Sequence, residues 1–267
     1  MYTNEFVLVC SFVLNYKYNF YCLRNVLLIR GISMKKNINL EQITKFMVLI
    51  CLFFGVQSWA VSINPSGVGQ LVIVPYYSVR NEMNTQISIV NQSPENHKLV
   101  QVTIREGRRG HNVLTWYMVL KPFDTWTAAM GAIPSQFSDY AGMPSTGLLS
   151  FDESCSQIEM RIEELRPYEF EFFEGSSSDM ERTQEGYIEV YDMGTFDSSV
   201  SCDAFENFEV QEIYNNTQSS VGDISVTAAI LNVNEGSAYP IQTTAFVNAV
   251  TQQQLEIPTY MSMSYIP

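Results

Sequence analysis

The stretch KLVQVTIREGRRGHNVLTWYMVL, residues 98–120, decides the fold class. In its first segment Val100, Val102 and Ile104 share one face, and the polar residues between them lie on the other. In its second segment one face is apolar and aromatic, formed by Leu114, Trp116, Met118 and Leu120. A period of two residues is typical of half-buried strands. The stretch therefore predicts an antiparallel hairpin whose turn is EGRRGHN.

The same alternation recurs at regular spacing along the rest of the chain. Ile188 and Val190 share a face in EGYIEVYDM, and a longer stripe is formed by Ile224, Val226, Ala228 and Ile230. Only residues 158–165 fit a short helix, and they fit a strand equally well. We therefore predict an all-β fold, an antiparallel immunoglobulin-like β-sandwich, with little helix outside the N-terminal leader. Residues 61–267 form this domain, with residues 61–135 and 136–267 as two sub-sheets in an alternative division.

A signal peptide is predicted over residues 34–60. It begins with the basic start Met34-Lys35-Lys36, continues through the apolar run FMVLICLFFGV and ends with the small residues Ser58 and Ala60. The apolar run is too short to span a bilayer, so we expect cleavage after Ala60 and no transmembrane anchor afterwards. Residues 1–33 fit a start codon assigned upstream of Met34 better than the alternative, a membrane-inserted segment.

Two cysteines, Cys155 and Cys202, follow the predicted cleavage point. An even pair in an oxidising compartment predicts a disulfide, with two free thiols as the alternative. No histidine lies near them at metal-ligand spacing, so the sequence predicts no zinc site.

The chain is acidic, with 28 Asp and Glu residues against 15 Lys and Arg residues and a net charge of −13. Nucleic acid is therefore not an expected partner, because phosphate binding needs concentrated positive charge. Residues 152–212 hold 18 of the carboxylates and only three arginines. A solvated acidic face is the favoured interpretation. Calcium binding and a carboxylate hydrolase site are the alternatives, although no D-x-[DN]-x-[DN]-G loop is present.

The turn EGRRGHN brings a basic cluster, Arg105, Arg108 and Arg109, into this acidic chain. Gly107 and Gly110 flank the two central arginines, as a tight turn requires. An exposed hairpin tip is the favoured interpretation. In the alternatives, the arginines pair with residues 152–212 of the same chain or of a neighbour, or bind an anionic glycan or a lipid headgroup.

The sequence contains no catalytic motif. Its two histidines, His97 and His111, lie in predicted turns, and neither is near a nucleophile motif. The chain has no G-x-S-x-G, no H-E-x-x-H and no Gly-rich phosphate loop. We therefore predict no catalytic residues, no cofactor other than the alternative of calcium, and a protein that is not an enzyme.

Ordered blocks of sequence carry a resemblance to a known family. They are PYYSVRN, REGRRGHN, LKPFDTWTA and RTQEGYIEVYDMG, followed by GDISVTAAILNVNEGSAYPIQTTAF. The chain resembles a family of exported or surface β-rich proteins of Gram-negative bacteria that have no assigned activity. The resemblance implies a secreted or surface location and supplies no site residues. Members are typically longer, so this chain resembles a short or truncated member.

Together these patterns predict an exported, non-enzymatic β-sandwich with a structural, adhesive or binding role at the bacterial cell envelope. Its location is the periplasm, the outer surface or the medium, and its partner is an envelope or surface component. The alternatives are a periplasmic carboxylate-dependent hydrolase acting on carbohydrate and a calcium-stabilised envelope module. A partner surface is expected to appear as an exposed aromatic patch or an unpaired sheet edge.

Overall fold

The computed structural model describes residues 11–12, 22–23, 60–156, 162–174, 180–196, 214–215, 217–220 and 222–249. The chain divides into two compact units, Met1–Gln57 and Ser58–Pro267. In the first unit, β1 (Ser11–Phe12) pairs antiparallel with β2 (Cys22–Leu23). The predicted signal peptide lies outside the described residues, except for Ala60. In the described part of the chain, no helix has the length and apolar character that crossing a membrane requires.

The described residues of the second unit form fourteen strands. In chain order they are β3 (Ser62–Ile63), β4 (Val68–Gly69), β5 (Leu71–Ser78), β6 (Met83–Asn91), β7 (His97–Glu106), β8 (Asn112–Leu120), β9 (Thr125–Pro134), β10 (Pro144–Leu149), β11 (Cys155–Ser156), β12 (Ile162–Glu164), β13 (Glu185–Phe196), β14 (Ile224–Asn232), β15 (Ser237–Ile241) and β16 (Thr244–Val247).

These strands form two seven-stranded antiparallel sheets. The first sheet has the order β12-β10-β9-β6-β14-β15, with β4 also paired to β14. The second has the order β11-β8-β7-β13-β5-β16-β3. The predicted all-β antiparallel sandwich is confirmed, whereas the immunoglobulin-like strand order is not. Each sheet takes strands from both residues 61–135 and residues 136–267, so neither sheet corresponds to one half of the domain.

The core lies between the inward faces of the two sheets. The predicted inward stripes of β7, β8, β13 and β14 are all buried, as the alternation indicates. Trp116 of β8 and Trp126 of β9 come from different sheets, and their ring centroids are 5.5 Å apart. Both side chains are at most 2% exposed. These two rings join the sheets within one hydrophobic cluster.

The second sheet is also buried on part of its outward face. Leu99, Tyr117, Val119 and Met193 are each no more than 2% exposed, although alternation places them opposite the main core. The register pairs Val119 with Leu99 on one side and with Cys155 on the other. Tyr214 and Thr217 are buried as well. Two-sided burial explains why residues 116–120 are apolar without interruption.

The helix α1 (Tyr168–Glu174) lies outside the stretch considered for a helix, residues 158–165. In that stretch residues 158–161 are outside the described part, and residues 162–164 form β12. Pro167 immediately precedes α1, and its carbonyl accepts the backbone N–H of Glu171 at 2.8 Å. Glu169 and Glu171 occupy the first turn, where carboxylates interact favourably with the helix dipole. Phe170 is buried and attaches the helix to the core.

Candidate functional site

The turn between β7 and β8 is organised around the carboxylate of Glu106. That carboxylate accepts the backbone N–H groups of Arg108 at 2.7 Å, Arg109 at 3.0 Å and His111 at 3.1 Å. Gly110 has a φ of +74°, a conformation that a residue with a Cβ rarely adopts. Successive N–H groups that converge on one anion form a stable concave site. The tip therefore has a defined shape of its own.

Arg182 neutralises this buried carboxylate. Its Nη2 lies 2.8 Å from Oε1 of Glu106, and the two side chains are 3% and 0% exposed. The guanidinium also lies 4.5 Å from the ring centroid of Phe170, in a cation–π contact. Although burial disfavours the charged form, Arg182 and the three N–H donors hold the pKa of Glu106 below its ordinary value. Glu106 therefore stays ionised beside the core.

Glu174 connects α1 to the same network. Its carboxylate lies 3.1 Å from Arg182, 2.9 Å from Nε2 of His111 and 3.5 Å from Arg109. The hydrogen bond from Arg182 is the main reason that the pKa of Glu174 is lowered to about 2, and His111 acts in the same direction. The neighbouring carboxylate of Glu169 accepts the backbone N–H of Asn112 at 2.6 Å. Polar contacts from two carboxylates therefore attach α1 to the hairpin.

The three arginines singled out in the sequence do not form one cluster. Arg105 lies on the outward face of β7, where its Nε is 2.8 Å from Oε2 of Glu189. Arg109 is exposed and lies beside Glu174. Arg108 is exposed too, and within the described residues its side chain has no ion pair. Both Glu174 and Glu189 belong to the acidic residues 152–212, so two of the arginines pair within the chain.

Exposed aromatic side chains lie next to the hairpin, on the outer surface of α1. Tyr168, Phe172 and Phe173 are 57%, 82% and 67% exposed, and we refer to these three residues as the aromatic tip. The rings of Phe172 and Phe173 meet edge to face at 5.0 Å, and Phe173 stacks on His111 at 5.6 Å. Large exposed apolar groups held together in this way mark interaction surfaces. In the sequence these rings lie among carboxylates, so the pattern did not predict an aromatic surface here.

Metal-binding and titratable groups at this site have structural partners. Within the described residues, no group of three or more His, Cys, Asp or Glu side chains could hold a metal ion. His111 and Glu174 form a pair that resembles an acid–base dyad, but Glu174 is also held by Arg182. Its low pKa makes it a poor proton acceptor near neutral pH. This arrangement stabilises the tip and gives no support to proton transfer.

The remaining sequence-predicted residues lie away from the tip. Cys155 is buried in β11, and its predicted partner Cys202 lies outside the described residues, so the disulfide stays a prediction. Ala60 is exposed, and cleavage after it also stays a prediction.

No protein-family model matches the chain, and comparisons with curated proteins and with solved structures find no match either. A function can therefore be inferred only from the residues and their geometry.

Acid is expected to destabilise the fold through Glu106 and Glu174. Both have folded-state pKa values below the ordinary value of 4.5, and that of Glu174 is about 2. A lowered pKa contributes stability that is complete above the unfolded-state pKa and is lost as the pH falls through the folded-state value. Urea titrations should therefore show a decreasing free energy of unfolding between about pH 5 and pH 2. Glu174→Gln should flatten this decrease, and Glu235→Gln, in an exposed turn, should not. An equal slope in Glu174→Gln and the parent would contradict the assignment.

Proposed function

We propose that this chain is a non-enzymatic binding protein of the bacterial cell envelope that holds a protein partner on its aromatic tip. The observation that carries the proposal is the exposure of Phe172 and Phe173, at 82% and 67%, on a helix attached to a folded hairpin. Export through the signal peptide ending at Ala60, and a Cys155–Cys202 disulfide, belong to the same proposal and rest on the sequence pattern.

The charge of the chain favours a protein partner over an anionic glycan or lipid. A net charge of −13 repels anionic polymers at a distance, and Glu169 and Glu171 lie on α1 itself. Aromatic residues and arginine are enriched where protein interfaces concentrate their binding energy. Arg108 and Arg109 lie on the adjoining turn. The surface therefore suits a partner that offers an apolar patch with charged residues of both signs around it.

Preorganisation supports the same interpretation. The backbone of the tip is held by the Glu106 carboxylate, α1 by Glu169 and Glu174, and the Phe173 ring by its stack on His111. A side chain that is already ordered loses less entropy when it binds. Exposed aromatic rings in a fixed arrangement can therefore contribute more affinity than the same rings on a flexible loop.

The proposal is tested by site-specific photo-crosslinking in the envelope fraction of the source bacterium. A benzophenone amino acid at position 172 should yield a discrete adduct with one envelope protein. The matched control carries the probe at position 151, because Phe151 is 71% exposed and lies outside α1. Adduct formation at both positions, or at neither, would contradict the proposal. A lipid partner is tested by sedimentation with vesicles of phosphatidylglycerol and phosphatidylethanolamine. If the parent protein sediments with the vesicles and a variant with a substituted tip does not, the tip binds lipid rather than a protein.

Replacing both tip phenylalanines should remove binding without unfolding the protein. An aromatic residue central to an interface contributes about 2 kcal/mol or more, so affinity for the crosslinked partner should fall about 30-fold or further in Phe172→Ser/Phe173→Ser. Because both side chains are exposed, the free energy of unfolding should stay within about 0.5 kcal/mol. Titration of the purified partner measures the first effect, and urea denaturation measures the second. Unchanged affinity in a folded double variant would overturn the role of the tip.

A further inference from the structure

A lysine is buried at the end of β7 opposite the hairpin tip. Lys98 is 0% exposed, and its Nζ lies 3.2 Å from Oδ2 of Asp192 and 2.8 Å from Oδ2 of Asp223. Asp192 of β13 is also fully buried, whereas the Asp223 side chain is 33% exposed. The three residues come from β7, from its neighbour β13, and from the segment that leads into β14 of the other sheet.

We propose that Lys98 and Asp192 form an intramolecular isopeptide bond, with Asp223 as the group that carries the proton. The ion pair seen in the structure is the state before the reaction. The bond would join two neighbouring strands of the second sheet. This inference does not depend on the aromatic tip or on its partner.

The register of the sheet places these two side chains together. Asp192 pairs with Val100, and the pairing shifts between Asp192 and Gly194, so that Lys98 lies opposite Thr195. A bulge of this kind changes the direction of a side chain within an otherwise regular ladder. Asp192 shares the inward parity of Ile188 and Val190, and Lys98 shares that of Val100. Both functional groups therefore point into the same end of the core.

The surroundings of Asp192 favour its neutral, electrophilic form. Burial raises the pKa of this carboxyl group, and it outweighs the ammonium of Lys98, the side chain of Ser220 and the backbone N–H of Asp223, which act in the opposite direction. Backbone N–H groups of Gly222 and Asp223 reach Oδ2 only at 3.3 and 3.4 Å. Oδ1 is buried and has no hydrogen-bond partner among the described residues. Because no donor among these residues stabilises a negative charge on Oδ1, this is the oxygen that takes up a proton and can leave as water.

The reaction balances without any other reagent. Asp223 passes one proton from the Lys98 ammonium to the Asp192 carboxylate, and the free amine then attacks Cγ of the neutral carboxyl group. A C–N bond forms, and Asp223 takes a second proton from the nitrogen of the tetrahedral intermediate. Asp223 gives this proton to the hydroxyl formed from Oδ1, the Cγ–O bond breaks, and the hydroxyl leaves as water. The product is a neutral secondary amide with no change in oxidation state, and Asp223 ends as it began.

Proximity makes this condensation favourable in the folded protein. Amides hydrolyse at equilibrium in dilute aqueous solution, but groups held in a reactive geometry reach effective concentrations of about 10⁵–10⁸ M. The buried position also excludes bulk water from the product. In addition, the reaction replaces two buried charges, which are costly to desolvate, with one neutral amide. All three effects act in the direction of bond formation.

The test is the intact mass of the full chain after folding, denaturation, reduction and alkylation. We expect the mass of the protein to be lower than its sequence mass by one water molecule. Trypsin should not cleave after Lys98, and the peptide that contains Lys98 should be joined to peptide 183–267. Fragmentation should place the link at Asp192. A protein of full mass would overturn the proposal and leave an ion pair only, and a link at Asp223 would overturn the assigned roles.

Variants separate the chemistry from the fold. Asp223→Asn keeps the shape of the proton carrier and should slow bond formation about 10²–10⁴-fold, because general acid–base assistance is lost. Lys121→Arg, which replaces a lysine outside this site, should leave the mass deficit unchanged. A deficit that forms at the parental rate in Asp223→Asn would overturn the role of that residue. Because the parent protein is measured directly, a variant that fails to fold does not affect the result.

Discussion

Arg182→Met is expected to lower the free energy of unfolding by about 3–5 kcal/mol. The substitution leaves the Glu106 carboxylate buried at one end of the core without its counter-charge. Methionine retains the apolar contact with Phe170 that the arginine side chain provides. The three backbone N–H donors of the turn remain and offset only part of the loss. Urea denaturation monitored by tryptophan fluorescence measures the change.

Two further variants identify the cause. Arg109→Met removes an arginine that also contacts Glu174 but is 61% exposed, so it should cost at most about 1 kcal/mol. Glu106→Gln combined with Arg182→Met removes both buried charges and should be more stable than Arg182→Met alone. Equal losses in Arg182→Met and Arg109→Met would show that the buried pair does not carry the stability assigned to it.

Trp116→Ala is expected to destabilise the protein by about 3–5 kcal/mol. The indole fills the space between the sheets and packs against Trp126 at 5.5 Å between ring centroids. Its removal leaves a cavity because the strands on either side are fixed by their ladders and cannot close the gap. The loss is read from urea titration of the folded variant, or from the absence of a cooperative transition if the domain no longer folds.

Matched substitutions show whether the ring itself matters. Trp116→Phe keeps an aromatic ring beside Trp126 and removes an indole N–H that has no hydrogen-bond partner among the described residues. It should therefore cost much less than the alanine variant. Phe151→Ala removes an aromatic ring that is 71% exposed and should change stability by less than about 0.5 kcal/mol. A similar loss in all three variants would contradict the central position of Trp116.

The inward face of β7 shows how the two ends of the sandwich differ. Val100, Val102 and Ile104 occupy the centre of this face. A buried charged residue lies at each end, Lys98 at one and Glu106 at the other. These ends are about 27 Å apart along a strand of this length. Each charge receives its partner from a distant part of the chain. One end supports the aromatic tip, and the other holds the groups proposed to form the isopeptide bond.

The sequence by itself determined the longer strands, their inward faces and the hairpin turn of residues 107–111. These features depend on a period of two residues and on turn chemistry, both of which are local properties of the backbone. The alternation also predicted the inward stripe of β14. Strands with one apolar face need a second sheet to cover that face. The antiparallel sandwich followed from these observations.

Only the tertiary structure decided which charges are buried and which aromatic rings are exposed. In the sequence Lys98 and Glu106 are ordinary polar ends of a strand, yet their partners Asp192 and Arg182 lie 94 and 76 residues away. The burial of a charge depends on the arrival of such a partner, which no local pattern encodes. The exposure of Phe172 has the same origin, because α1 is oriented by the burial of Phe170 and by the contacts of Glu169 and Glu174 with distant residues. Long-range packing, rather than local propensity, therefore created both candidate sites.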